Sequence, residues 1–172
     1  MSSRKKIVVL EGGFSQERDV SFKTSEAASK ALEELGFNIA RIEVSRNQLD
    51  LLKTLHQEKP DVIFNALHGK YGEDGCIQGL LDMLQIPYTS SGRAASTLAM
   101  NKPLAKIMFS KAGVPIANSI ISTYEELALN NPIPRPFVIK PIDEGSSVGV
   151  QIIRNTNQNL NINLNNNIIQ TT

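Results

Sequence analysis

H-G-K-Y-G-E-D-G, residues 68–75, is the stretch on which the reading of this chain turns. It follows a β-branched, apolar run at residues 62–67 and precedes a helix-like run that starts near Cys76, so it joins a strand to a helix. Gly69, Gly72 and Gly75 let the backbone come close to a ligand, while His68, Glu73 and Asp74 add an imidazole and adjacent carboxylates. Proteins of the α/β class place ligand chemistry at such strand ends, because the sheet fixes the point from which the loop departs. The alternative is a tight turn whose acidic residues cap the next helix.

The segments upstream repeat the same alternation. Residues 6–11 (K-I-V-V-L-E) are a short run that stops at Gly12 and Gly13, the pattern of a buried parallel strand. Residues 19–35 set Val20, Ala27, Ala28, Ala31, Leu32 and Leu35 on one helical stripe that ends at Gly36. Residues 37–44 alternate as a second strand, Leu49, Leu51, Leu52 and Leu55 mark a helix, and Pro60 separates it from the strand at 62–67. A helix over 76–84 and a short strand over 86–89 follow. Strands spaced by helices predict an α/β fold, a parallel sheet covered on both faces with right-handed crossovers.

A boundary near residues 90–102 closes this unit, and the pattern then changes. Residues 94–112 read as one helix carrying Lys102, Lys106 and Lys111, residues 114–122 as an extended run, and residues 124–129 as a short helix capped by Thr123. Residues 136–140 and 150–153 read as strands around a glycine-serine loop at 144–149, E-G-S-S-V-G. From Asn155 onward there is no charged residue and asparagine recurs among Leu and Ile, which predicts a disordered tail over residues 155–172, with a strand as the alternative.

Composition narrows the function classes. Of 172 residues, 41% are hydrophobic, enough for a core, and 20% are charged with a formal net charge of +1. That balance argues against nucleic acid as a partner; Arg4, Lys5 and Lys6 open a strand and are too few for a basic arm. The longest apolar runs fall short of a membrane span and the first residues lack the apolar core of a signal peptide, so no membrane partner is expected and the expected location is the cytoplasm. The single cysteine, Cys76, heads an apolar helix and reads as a small packing residue rather than a nucleophile.

Three further groups of residues carry candidate chemistry. Residues 12–21, G-G-F-S-Q-E-R-D-V-S, form an anion-friendly turn after a strand, with Glu17 and Arg18 at its rim. Glu17 either holds a substrate ammonium or caps the helix. Lys102 and Lys140, on separate elements, suit nucleotide phosphates, or are solvated surface lysines; Lys140 follows the apolar triplet 137–139, which favours function there. Ser146 and Ser147 have no histidine nearby in sequence to activate them, so they read as hydrogen-bonding groups for phosphate or substrate rather than nucleophiles. The loop that holds them is either a phosphate flap or a plain hairpin turn.

In this order and at these separations, residues 12–21, residues 68–79 (H-G-K-Y-G-E-D-G-C-I-Q-G) and residues 139–150 (I-K-P-I-D-E-G-S-S-V-G-V) resemble the amino-terminal half of the D-alanine–D-alanine ligase family. The resemblance covers residues 5–153. It implies a Rossmann-like (pre-ATP-grasp) parallel-sheet domain at residues 1–100, the first part of an ATP-grasp domain at 101–154, and the Asn-rich tail at 155–172. It also implies ATP-dependent joining of two D-alanines for peptidoglycan in the cytoplasm. ATP phosphorylates the carboxylate of one D-alanine, and the amino group of the second attacks the acyl phosphate. By matching position, Glu17 would hold the first ammonium, His68 would lie near that substrate's carboxyl group, and Ser146 would tie Glu17 into a hydrogen-bond network. Lys102 and Lys140 would bind ATP phosphates, and the backbone of residues 145–149 (Gly145, Ser146, Ser147, Val148, Gly149) would close over the γ-phosphate.

The family continues well beyond the matched region, with the adenine-contacting strand, the oxyanion arginine and the Asp, Glu and Asn ligands of Mg2+ still to come. None of these has a counterpart in the sequence, so the resemblance implies ATP and Mg2+ as cofactors but no metal ligand within this chain. Two readings follow. One is the amino-terminal half of the ligase, inactive alone or dependent on a separately encoded second half, with a homodimer through the first domain as a further implied partner. The other is a non-catalytic remnant or binding module that retains the substrate domain.

Overall fold

A computed structural model describes residues 4–129, 134–154 and 168–171, and the chain divides into two compact units, Met1–Thr97 and Leu98–Thr172. In the first unit, β1 (Lys6–Gly12), α1 (Arg18–Glu34), β2 (Asn38–Val44), α2 (Gln48–Glu58), β3 (Val62–Asn65) and α3 (Cys76–Met83) alternate as expected for an α/β chain. The strands form a parallel sheet in the order β2-β1-β3, with Ile7 opposite Ile39 on one side and Val62 on the other. The chain steps from β1 outward to β2 and then returns across β1 to β3. The ends of β1 and β3 therefore flank the point where the winding reverses, the usual crevice for a ligand in open α/β sheets. The short strand expected at 86–89 is reduced to a single parallel bridge between Ile63 and Tyr88.

Central β1 is sealed on both sides: Val8, Val9 and Leu10 are fully buried. Val8, Leu10, Ile42, Val44, Ile63 and Leu67 pack with Leu51 and Leu55 of α2 and Ile77 and Leu81 of α3 into one core. Each fully buried aliphatic side chain contributes about 1.5–3 kcal/mol. Helix α1 corrects the expected stripe. It buries Ser21, Ser25 and Ser29, whereas Val20 is 48% and Leu35 is 74% exposed. Serines in place of larger residues let the helix approach the strands closely, and the Ser21 hydroxyl serves both strand ends: it accepts the Gly12 N–H at 2.9 Å and donates to the Ala66 carbonyl at 2.7 Å.

The helix expected over 94–112 is two helices, α4 (Arg93–Met100) and α5 (Lys102–Lys111). Asn101 interrupts it: its side-chain oxygen accepts the Leu104 N–H at 3.1 Å and caps α5, while Pro103 occupies the first turn, where a missing N–H costs nothing. The second unit continues with β4 (Ser119–Ser122), α6 (Tyr124–Leu129), β5 (Phe137–Pro141), β6 (Gln151–Ile153) and β7 (Ile168–Thr171). Of the extended run expected at 114–122, only β4 is strand. Thr123 caps α6 as expected, in a reciprocal box: its hydroxyl accepts the Glu126 N–H at 3.2 Å and the Glu126 carboxylate accepts the Thr123 N–H at 2.9 Å.

The sheet of the second unit has the order β4-β7-β5-β6, its strand pairs antiparallel, and Leu127, Phe137, Ile139 and Ile153 form its core. The disorder expected for residues 155–172 is corrected at Ile168–Thr171, which form a strand paired on both sides; residues 155–167 and 172 lie outside the described residues. Among the described residues, no helix is long and apolar enough to cross a membrane.

Candidate functional site

In the first unit the candidate residues meet at the ends of β1 and β3. Ser15, in the loop after β1, donates its hydroxyl to the His68 carbonyl at 2.8 Å and accepts the Glu17 N–H at 3.1 Å, fastening the two strand-end loops together. The Glu17 carboxylate rests against Gly69: a Cβ added to Gly69 would lie 2.8 Å from Glu17 Oε2 and 3.1 Å from the Ser15 Cβ. Gly69 also has φ +66, so glycine is required there both for backbone conformation and for the space that Glu17 occupies. His68 is partly buried, with Nε2 3.0 Å from Thr24 Oγ1 and Nδ1 3.7 Å from Glu73 Oε1. Glu17 and Gly69 are thus in contact, with His68 next to Gly69 and tied through its carbonyl to Ser15.

The two acids of the loop at 68–75 are spent on the loop itself. Glu73 accepts the Gly69 N–H at 2.7 Å, and Asp74 accepts the Tyr71 N–H at 2.8 Å and the Cys76 N–H at 3.0 Å. Two side-chain amides that the sequence reading did not single out hold the loop from below. Asn65 Nδ2 and Gln78 Nε2 both donate to the Gly72 carbonyl at 2.9 Å, and Gln78 is fully buried. The signal for Gln78 was available in the sequence, as a polar residue on an apolar helix directly after the glycine loop.

Cys76 departs from the expectation of a packing residue, because it is exposed. Partial desolvation of its sulfur and then the neighbouring Asp74 push the thiol up from its ordinary value. Among the described residues no group of three His, Cys, Asp or Glu side chains is placed to hold a metal ion.

In the second unit, Lys102 donates its ammonium to the Glu144 carbonyl at 2.5 Å, while its backbone N–H donates to the Ile142 carbonyl at 3.0 Å, so the start of α5 is tied to the loop after β5. Partial burial, followed by the like charge of Lys140, lowers the Lys102 pKa; Asp143 and Glu144 oppose this. Lys106 is lowered by the same two causes, burial first and Lys140 second, and its ammonium donates to the Ala117 carbonyl. The structure therefore places Lys106 within the field of Lys140 as well. The sequence reading left it unassigned, although it lies one helical turn beyond Lys102.

The loop at 144–149 is a strained turn. Ser146 and Ser147 take φ +46 and +63, a region that L-residues enter at a cost of about 1–2 kcal/mol each. Val148 N–H donates to Gly145 O and Val150 N–H to Ser147 O, at 3.0 and 3.2 Å. The N–H groups of Ser146, Ser147 and Gly149 and both serine hydroxyls have no hydrogen-bond partner among the described residues. Unused N–H and hydroxyl donors in one turn are chemically suited to an anion's oxygens.

Comparison with known proteins follows this geometry. Residues 43–91 match the family model described as D-ala D-ala ligase N-terminus. The chain is 50% identical over 150 residues to a D-alanine–D-alanine ligase of Paramagnetospirillum magneticum, a match covering 87% of this chain and 49% of the relative. A ligase of the same name from Granulibacter bethesdensis is 51% identical over 151 residues, covering 88% of this chain and 49% of that protein. Among solved structures, a D-alanine–D-alanine ligase from Bacillus anthracis superposes with a TM-score of 0.79 at 30% identity, covering 97% of this chain and 57% of that one. The same enzyme complexed with ATP gives a TM-score of 0.77 at 28% identity, with 97% and 58% covered. The chain spans about half the length of the curated relatives it matches.

Proposed function

We propose that this chain, which belongs to the D-alanine–D-alanine ligase family through the amino-terminal half of those enzymes, supplies the first-substrate site and the phosphate flap of an ATP-dependent carboxylate–amine ligase. The product is the D-alanine dipeptide used in peptidoglycan synthesis, made in the cytoplasm. The observation that carries this reading is the Glu17 carboxylate seated on Gly69 beside His68, a pairing of two motifs far apart in the sequence.

Each residue has a role consistent with its surroundings. Glu17 receives the ammonium of the first D-alanine, an anion for a cation at a site where Ser15 fixes the backbone. His68, steadied by Thr24, directs that substrate's carboxyl group. Lys102 and Lys140, like charges held close enough to affect each other, take phosphate oxygens of ATP, which relieves their repulsion. The free N–H groups and hydroxyls of Ser146, Ser147 and Gly149 close over the terminal phosphate together with Gly145 and keep water from the acyl phosphate. Residues 1–100 act as the substrate domain and residues 101–154 as the opening part of the ATP-grasp domain. The described residues offer no donor set that fits Mg2+. A separately supplied second half and a homodimer through the first unit are the partners this reading adds.

The test has two stages. Titration with D-alanine is expected to move the NMR signals of His68 and Gly69 in the parent chain, L-alanine to move them less, and Glu17→Gln to abolish the effect. ADP release from ATP and D-alanine is expected once a polypeptide covering the remaining half of a relative is added, and near background without it. Equal response to both enantiomers would sink the substrate assignment. The binding-module reading prevails if D-alanine binds but no supplement restores turnover.

A further inference from the structure

Beside the glycine loop, with neither Glu17 nor His68 in its lining, is a cavity of about 340 Å³ that the ligase reading does not use. Its floor is Val44, Leu51, Ile77 and Leu80, and its walls include Phe14 and Tyr71, whose rings stand 5.1 Å apart at 60°. Arg46 lines the mouth, its guanidinium 5.3 Å from the Phe14 ring centre, and the Lys70 ammonium lies 5.9 Å from the Tyr71 ring centre. Neither cation makes an ion pair among the described residues. Asp74, between the lining residues Tyr71 and Cys76 in sequence, accepts the N–H groups of both. An apolar, aromatic-walled space of this size with unmatched positive charge at its entrance has the composition of a small-molecule site.

We infer that this cavity binds a small aromatic or branched aliphatic carboxylate, its apolar body on Leu51, Ile77 and Leu80 and its carboxylate at Arg46. Phe14 belongs to the loop that carries Glu17, and Tyr71 to the loop that carries His68 and Glu73, so an occupant holds both loops of the first-substrate site at once. Binding itself does not depend on the ligase reading and is measured without nucleotide or amino acid.

Cys76 provides the readout, being the sole cysteine, exposed, and part of the cavity lining. The full chain is alkylated with iodoacetamide in the presence of 3-phenylpropionate. A ligand of this size is expected to give saturable slowing of alkylation with a half-effect in the about millimolar range. The neutral analogue 3-phenylpropanol and the Arg46→Gln variant are each expected to raise that half-effect about tenfold, the loss of one charge-assisted contact. Arg46 is exposed, so its replacement leaves the fold intact. Absence of saturable protection by 3-phenylpropionate in the parent chain overturns the site, and equal protection by 3-phenylpropanol overturns the assignment of a carboxylate.

Discussion

Replacing Gly69 with alanine separates the two demands placed on that residue, and Gly36→Ala provides the reference. Both glycines lie at positive φ, +66 and +84, so alanine costs each site about 1–2 kcal/mol of backbone strain. At Gly36 a new Cβ meets nothing within 4 Å, whereas at Gly69 it would come within 2.8 Å of Glu17 Oε2. That oxygen is the far end of a flexible side chain and can swing away at little energetic expense, while the Ser15 Cβ, at 3.1 Å, needs to yield by only a few tenths of an ångström. The two variants should therefore be similarly destabilised. In a unit of this size each kcal/mol lowers the midpoint of thermal unfolding by about 4–8 °C. Their effects on binding should differ sharply. Swinging Glu17 out of place removes a charge-assisted contact to the substrate ammonium worth about 1.5–3 kcal/mol, which is about a 10- to 150-fold loss of D-alanine affinity. Gly36→Ala should leave affinity unchanged. Thermal unfolding and NMR titration on the three proteins measure both arms. If Gly69→Ala binds D-alanine like the parent chain, the contact between Glu17 and the glycine loop has no part in substrate binding. If it unfolds far below Gly36→Ala, Glu17 is held rigidly and the steric account is wrong.

Ser21→Ala should destabilise the first unit by about 1–3 kcal/mol, because it leaves the buried Gly12 N–H and Ala66 carbonyl without their shared hydroxyl; urea denaturation measures this, and a change below about 0.5 kcal/mol would mean water replaces the hydroxyl. Lys102, together with Lys106, shapes the pH response of the second unit. Its folded pKa lies below the ordinary lysine value, so over the window between the two the unfolded chain binds more protons and stability rises with pH. Lys102→Met should flatten that alkaline rise in urea midpoint, and an unchanged slope would assign the effect to another group.

The element order was readable in the sequence because strand and helix periods alternate cleanly between Lys6 and Met83. The face of α1 was not. Apolar periodicity pointed to Val20 and Leu35, but close packing at the strand ends selects small side chains, and serine gives no signal on a hydropathy pattern. The break at Asn101 was misread for a related reason: Asn-Lys-Pro is a strong start signal for α5 that the surrounding helical stripe concealed. At the candidate site, residue types and spacing pointed to Glu17, His68 and the lysines, whereas Gln78 and Asn65 became visible only through the carbonyl they share. Ser146 and Ser147 were recognised as donors, but their left-handed backbone could not be read from the residue types.

The position of β7 has a consequence for how the chain is assembled. Among the described residues, strand β4 at residues 119–122 is joined to the rest of its sheet only through β7, which lies between it and β5. The sheet of the first unit is complete once residue 65 has been made, but the second cannot close until residues 168–171 arrive. On the ribosome, then, β4 waits without a strand partner while residues 123–167 are made, and one edge of β5 stays open over residues 142–167, the interval in which a strand edge is most exposed to pairing with another chain.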